Sequence, residues 1–428
     1  MKTNREMVNS GIPWIGEIPK DWKVCFIKQI MRNKSIKGYP DEMVLSLYRD
    51  YGVVPKDSRS DNHNVTSEDT SSYKFVEVGD FVINKMKAWQ GSMAVSEFQG
   101  IISPAYYICR FTSNEVNKRY IHYLLRNDSY KAEYMRLSSG LRVGQWDLNI
   151  DDFLRIKMVL PSLEEQQKIA SFLDRKCSEI DEMIALQEKV IEELKAYKQS
   201  VITEAVTKGL NPDAPMRDSG IEWIGQIPEH WEVCRMKNVC TQNPNSLSEK
   251  EDKELEFDYV DIGSVSFEKG IFKSEHYAFK DAPSRARRKA SLGDLIMSTV
   301  RTYLRAIDIV NTEEKANYIY STGFAVLTPF DNIKYQYLSY ISKSQYFLEQ
   351  VGILSKGINY PSINSTDLMT ISIALPTLTE QQAIADYLDE KCADIDSLIQ
   401  TKQSKIDSLK EYKKSIIYEY VTGKREVE

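Results

Sequence analysis

"GIPWIGEIPKDW" occupies residues 11–22, and "GIEWIGQIPEHW" occupies residues 220–231. Trp14 and Trp223, Gly16 and Gly225, Pro19 and Pro228, and Trp22 and Trp231 are each 209 positions apart, with no internal slip. Agreement at four positions held by such constrained residue types marks a duplication, so the rest of the chain is read as an internal repeat.

A second block repeats downstream. "LPSLEEQQKIASFLDRKCSEIDEMI" begins at Leu160 and "LPTLTEQQAIADYLDEKCADIDSLI" at Leu375, an offset of 215. The region between the two blocks is therefore six residues longer in the second copy. The order is opening motif, variable region, helical block, then the same three parts again. The boundaries are 1–160, 161–210, 211–375 and 376–428.

Both helical blocks carry sustained helical periodicity. In the first, Ile180, Met183, Gln187, Val190, Leu194, Tyr197 and Val201 alternate spacings of three and four, with Ile184 and Ile191 widening the stripe. The second gives Ile395, Leu398, Ile399, Ile406, Leu409, Tyr412 and Ile416. Neither run meets Pro or Gly before Gly209 or Gly423, both good helix stops. About 30 residues from Cys177 make roughly 45 Å of helix. A seam of that length wants a partner. The two copies are expected to pair with each other as an antiparallel coiled coil; the alternatives are a helix packed on its own domain and a seam for another protein, the latter compatible with pairing because two helices leave other faces free. Ser162 with Glu165, and Thr377 with Glu380, read as capping boxes at the head of a short starter helix.

The variable regions, 23–159 and 232–374, share a layout. Each has short β-branched and aromatic runs, a Gly-Asp turn (Gly79-Asp80, Gly293-Asp294), a strand, an aromatic helix, a glycine-bearing polar loop and a closing strand. This predicts an α+β fold of two mixed domains joined by two long helices, with an internal pseudo-two-fold repeat. Similar scaffolds with dissimilar loops place specificity in the loops.

Composition sets bounds. The net charge of −6 argues against a protein that coats nucleic acid indiscriminately, but local field matters more than the sum. Residues 20–160 hold 21 basic and 17 acidic side chains, whereas residues 161–210 hold 7 and 10. No apolar run is long enough for a membrane span, and the start lacks an apolar leader, so the expected compartment is the cytoplasm. Cys177 and Cys392, like Cys25 and Cys234, are repeat partners and read as core. His63, His122, His230 and His276 show no metal spacing. No phosphate loop, G-x-G-x-x-G, H-E-x-x-H or G-x-S-x-G occurs, and "NPNS" at 243–246 lacks the aromatic of an amino-methyltransferase tetrad. No catalytic residue and no metal ligand is assigned.

Basic and aromatic residues cluster in the loops. "INKMKAWQGS" offers Lys85, Lys87, Trp89 and Gln90, and "GLRVGQWD" offers Arg142, Gln145 and Trp146. The second region offers Arg285, Arg287, Arg288 and Lys289, then Arg301 and Arg305, then Lys356, Asn359 and Tyr360. Arg and Lys can reach phosphates or guanine, and Gln and Asn can read adenine. For any one residue, a solvated charged face over core aromatics is an equal reading; the clusters together favour DNA.

The layout resembles the specificity subunit of type I restriction–modification systems. The resemblance rests on the duplicated "GIPWIGEIPKDW"/"GIEWIGQIPEHW", the duplicated "LPxLxEQQxIAxxLDxK", the stretch "GDLIMSTVRTYLR" and the two long helices, and it covers nearly the whole chain. It implies that each variable region is a target recognition domain for half of a bipartite site in double-stranded DNA. It also implies that the helices separate these domains and scaffold two methylation subunits and, where the system has them, restriction subunits. S-adenosylmethionine, ATP and magnesium would then belong to those partners and none to this chain. The competing reading is a tandem-repeat interaction scaffold that binds no nucleic acid.

Overall fold

The protein is described by a computed structural model covering residues 5–59, 66–67, 69–140 and 146–427. It divides into two compact units, Met1–Gln187 with Ser404–Glu428, and Glu188–Gln403. Each unit thus takes one variable region and a segment of each long helix.

The same antiparallel sheet is built twice. In the first unit its order is Met31–Lys34, Tyr106–Phe111, Phe81–Asn84, Met93–Val95. In the second it is Cys240–Gln242, Phe324–Pro329, Leu295–Ser298, Ile307–Ile309. The Gly-Asp turns precede the third strand of each. Gly79 and Gly293 take φ of 88° and 91°, in the left-handed region that glycine tolerates. Asp80 and Asp294 then accept hydrogen bonds from the amides of Glu77 and Ser291 at 2.8 and 2.7 Å. The closing strand returns to the start of each region. Lys157–Leu160 pairs antiparallel with Lys23–Phe26, and Ser372–Leu375 with Glu232–Arg235. Both ends of a variable region therefore leave from one strand pair.

The expected single aromatic helix is two helices in each unit, Lys118–Arg126 with Asp128–Leu137, and Tyr335–Lys343 with Gln345–Leu354. Asn127 breaks the first pair in an extended conformation, and its side chain accepts from the Ser129 amide at 2.9 Å. This is the local competition with helix that makes Asn a cap. Ser344 breaks the second pair, its hydroxyl donating back to Ile341 O at 2.6 Å. The second unit also has a further sheet that the sequence did not announce, in the order Glu275–Ala278, Glu256–Val260, Ile319–Ser321, Ala286–Lys289.

The long helices are Leu163–Lys208 and Leu378–Val421, 46 and 44 residues. The starter helix is not separate: it runs unbroken into the periodic segment, giving about 65–70 Å at 1.5 Å per residue. The buried seam also differs from the expected stripe. Met183, Tyr197, Leu398 and Tyr412 are exposed, while Ile180, Ile184, Ile191 and Ile202, and Ile395, Ile406 and Ile416, are buried. The seam advances from Ile180 by four and then three, so Ile184 and Ile191 lie at its centre rather than its edge. Each unit pairs its helix segments. In the first, Lys413 Nζ meets Asp181 at 2.6 Å, and the Phe172 and Tyr420 rings lie 4.4 Å apart, an antiparallel run. In the second, Lys198 Nζ meets Asp396 at 2.6 Å. Asp181 and Asp396, and Lys198 and Lys413, are each 215 positions apart, so this ion pair is itself duplicated.

The opening motif has a structural role in each unit. Trp22 Nε1 donates to Glu165 at 3.2 Å, and Trp231 Nε1 to Glu380 at 3.2 Å. These are the acidic residues of the two expected capping boxes. At Thr377 the box is reciprocal, because Glu380 N donates to Thr377 Oγ1 at 3.3 Å and Thr377 N to the Glu380 carboxylate at 3.2 Å. At Ser162 only the first half forms, since Glu165 turns to Trp22 and Arg5. Burial works to raise the Glu380 pKa, but hydrogen bonds from His230, Thr377 and Trp231 outweigh it and hold the carboxyl below its usual range. The other side of each indole faces a helix end: Trp22 packs by Gly423, and Trp231 by Gly209. Tyr120 and Tyr337, both fully buried, tie the same ends. Tyr120 donates to Val421 O at 3.0 Å and Tyr337 to Val206 O at 3.3 Å. The buried Gln166 and Gln381 fix the helix starts, each bonding to a carbonyl of the turn before it, Pro161 O or Pro376 O, at 2.9 Å.

No described helix is long and apolar enough to cross a membrane.

Candidate nucleic-acid interface

In the first unit the third sheet strand ends at Asn84 and leads directly into Lys85, Lys87 and the 3-10 turn Ala88–Gln90. Asn84 Oδ1 accepts from the Met86 amide at 3.1 Å, and Trp89 Nε1 donates to Met86 O at 3.2 Å, which sets the turn. The second stretch folds back onto it. Leu148 N donates to Lys85 O at 3.0 Å, Lys85 Nζ stands 3.6 Å from Asp147, and the rings of Trp89 and Trp146 meet edge to face at 5.3 Å. Lys87 is exposed, while Lys85, Trp89 and Gln90 are half-buried. The structure therefore joins stretches about 55 residues apart in sequence. Arg142 and Gln145, like His63, lie outside the described residues.

Sequence reasoning missed two cations here. Lys74 lies in a strand and donates to Tyr106 O at 2.6 Å. Its pKa is lowered, first by burial and then by the positive charges of Lys37 and Lys85. Three lysines thus contribute to one local field. Alternation marks Lys74 only as an outward strand residue, and its convergence with Lys37 depends on tertiary contact.

The second unit has the same arrangement in the same topological place. The strand Leu295–Ser298 leads into Arg301, the 3-10 turn Thr302–Leu304 and Arg305. The loop carrying Lys356, Asn359 and Tyr360 meets this turn. Val300 bridges Ser362, Thr302 N donates to Pro361 O at 3.2 Å, and the Arg301 guanidinium lies over the Tyr360 ring at 5.2 Å. Arg305 lies over Phe267 at 5.7 Å. Arg301 and Arg305 have φ of 53° and 49°; Asn243 is the one other non-glycine residue with positive φ among those described. Such backbone is costly and concentrates where a loop conformation serves function. Arg301, Arg305, Lys356, Asn359 and Tyr360 are all exposed.

The remaining cluster is placed differently. Arg287, Arg288 and Lys289 sit on Ala286–Lys289, the edge strand of the further sheet, and Arg285 immediately precedes it. Arg285 and Lys289 are exposed. The Arg287 guanidinium lies over Phe279 at 5.0 Å and donates to Ala286 O at 2.8 Å. Arg288 Nη1 reaches Ser246 Oγ at 3.4 Å, and its Nε is buried with no hydrogen-bond partner among the described residues. This cluster connects to the Arg301 turn through one loop: Thr322 N donates to Arg285 O, and Thr299 N to Gly323 O, both at 2.8 Å.

Exposed arginine forks match phosphate and guanine edges, and the adjacent aromatic faces suit stacking. Among the described residues no group of three or more His, Cys, Asp or Glu side chains is placed to hold a metal ion. The described cysteines are free thiols. Burial pushes the Cys109 and Cys240 thiols up to about 12, which makes them poor nucleophiles.

Comparison with known proteins agrees with this organisation. The chain is 27% identical over 431 residues to the type I restriction enzyme MjaVIII specificity subunit of Methanocaldococcus jannaschii, covering 95% of this chain and 93% of that one. It is 20% identical over 402 residues to the EcoDI specificity subunit of Escherichia coli, covering 90% and 84%. In fold it is similar to a chain from a structure addressing complex assembly and conformational transition of the type I R-M system, with a TM-score of 0.70 at 16% identity, covering 95% and 99%. It is also similar to the HsdS subunit of Thermoanaerobacter tengcongensis, with a TM-score of 0.50 at 16% identity, covering 95% and 98%. The type I restriction modification DNA specificity domain matches twice, over residues 19–196 and 228–411, once for each copy of the repeat. A domain that accounts for most of the chain and follows its internal duplication settles the family: the chain belongs to the type I restriction–modification DNA specificity family.

Proposed function

We propose that each unit reads one half of a bipartite site in double-stranded DNA, and that the chain directs methylation and restriction subunits to that site without performing chemistry itself. One observation carries the reading. In both units the turn after the third sheet strand meets the loop before the closing strand, and both meeting points gather cations and aromatic rings. A duplicated interface on a duplicated scaffold suits two half-sites. The exposed repeat partners Met183 and Leu398, and Tyr197 and Tyr412, support two methylation subunits docked on equivalent faces of the long helices. S-adenosylmethionine then sits on the methylation subunits, and ATP and magnesium on the restriction subunits. The assembly works in the cytoplasm.

The reading is tested by gel shift with a pool of random duplexes and by incorporation of labelled methyl groups, each with and without the cognate methylation subunit. Retention of a sequence subset and methyl transfer are expected from the assembled complex only. Methyl transfer by this chain alone, or a complex that retains no duplex, refutes it.

Arg301, which is exposed, is a sharper probe of the interface than Arg287 or Arg288, which are half-buried. If the Arg301 fork meets a base edge, Arg301→Ala costs about 1–3 kcal/mol on the preferred site and relaxes one position. If it meets a phosphate, all sequences weaken alike and the salt slope falls by about 0.9. Titrations at several salt concentrations separate the two, and unchanged affinity with unchanged slope removes Arg301 from the interface.

A further inference from the structure

Ile358 is 99% exposed, the most exposed large apolar side chain among the described residues; the next, Tyr360, is 67% exposed. An isolated surface Ile is ordinary. This one stands at the tip of a loop whose base is well fixed. Lys356 and Ser362 exchange both backbone hydrogen bonds, at 2.8 and 2.9 Å. Thr302 Oγ1 lies 2.9 Å from Ser355 Oγ, and Pro361 O accepts from Thr302 N. Gly357 takes φ of 105°, where a Cβ would come within 3.2 Å of Tyr360 O, so the turn at the tip is one that glycine permits. The chain thus orders a tight loop and leaves its apolar apex in solvent. Around that apex stand Lys356, Asn359, and Arg301 stacked on Tyr360, with the exposed Tyr303 and Leu304 on the adjoining turn.

An apolar tip flanked by cations and an amide fits duplex DNA better than a protein groove. The cations meet phosphates on either side, Asn359 reaches base edges, and the branched side chain enters between bases. The first copy repeats the pattern in sequence: "SSGLRVG" places Leu141 after Gly140 as "SKGINYP" places Ile358 after Gly357. We infer that Ile358 is a wedge, inserted into a base step of the half-site read by the second unit, which unstacks that step and bends the duplex locally. The inference rests on the proposed DNA-reading function and adds a distortion to it.

The test uses the full chain assembled with its methylation subunit on a duplex carrying the mapped site. Permanganate oxidation of thymines reports unstacking, and gel shift reports affinity on the same samples. The thymines of the second half-site itself, together with thymine placed in turn at each spacer and flanking position beside it, locate the step. The wild-type complex should show a reactive thymine at a step in the second half-site, apart from any signal due to the base being methylated. Ile358→Ser should abolish that reactivity and weaken binding roughly 10- to 100-fold, as expected when an inserted side chain is lost. Ile358→Phe, which keeps an apolar wedge, should retain both. Normal binding by the wild type with no reactive step overturns the wedge and leaves the DNA-reading function standing. The wedge is equally overturned if Ile358→Ser keeps the reactivity, shifts only a thymine preference, or loses the methylation subunit while preserving the DNA pattern. A wild-type complex that binds no duplex removes both proposals together.

Discussion

Trp231→Ala should lower the stability of the second unit by about 3–5 kcal/mol, the range for truncating a large buried aromatic. Trp231 is 1% exposed and lies in the core cluster that contains Val206, Ile227, Leu327 and Tyr337. Its ring also fills the space beside Gly209, where a Cβ would stand 3.1 Å from it. Truncation removes the packing and the indole donor to Glu380 together, so the helix start loses one of the bonds that hold its carboxylate ionised. Trp223, from the same motif, provides the contrast. It is 41% exposed, and Trp223→Ala should cost about 0.5 kcal/mol, as surface changes do. Urea unfolding of the two variants against the parent measures the difference. Equal shifts would mean that the motif does not act through the buried indole.

Replacing residues 232–374 with the matching region of another member of the family should change one half of the methylated site and leave the other as it was. The exchange joins at the strand pair Glu232–Arg235 and Ser372–Leu375, where both ends of the region already meet. The helix ends and Trp231 remain, so the scaffold keeps its core. Each mismatched base pair costs about 1–3 kcal/mol, so two or three altered positions suffice to lose the original half-site. Mapping methylated motifs in cells that carry the hybrid and its methylation subunit gives the readout. A hybrid that alters both halves would show that the regions do not read independently.

The duplication was legible because it rests on residues that tolerate few replacements, Trp22 and Trp231 above all, and because both capping residues precede the helices at fixed spacing. The helix seam was legible in period but not in phase. Counting from Ile180, steps of three-then-four and four-then-three both meet apolar side chains, and only the partner helix chooses Ile184 over Met183. The break at Asn127 was hidden because "YLLRNDSYKAEYM" keeps its aromatic spacing across a residue that caps as readily as it continues. At the interface, sequence supplied the stretches but not their meeting. Trp89 and Trp146 touch where the Leu148 amide returns to hydrogen-bond Lys85 O, and Lys37 and Lys74 join the field through equally non-local contacts.

The discontinuity of the first unit bears on how the chain is made. Its variable region emerges early from the ribosome, yet it is completed by Ser404–Glu428, and Tyr120 must wait for the carbonyl of Val421, 301 positions later. The second unit is continuous from Glu188 to Gln403 and can close as soon as it is synthesised. At about 5–20 residues per second the first unit stands open for roughly 10–40 s while the second is made. Throughout that interval the side of the Trp22 indole that packs by Gly423, and the apolar stripe up to Ile184, lack their partner from the second long helix. The portion born first is therefore the last to be completed.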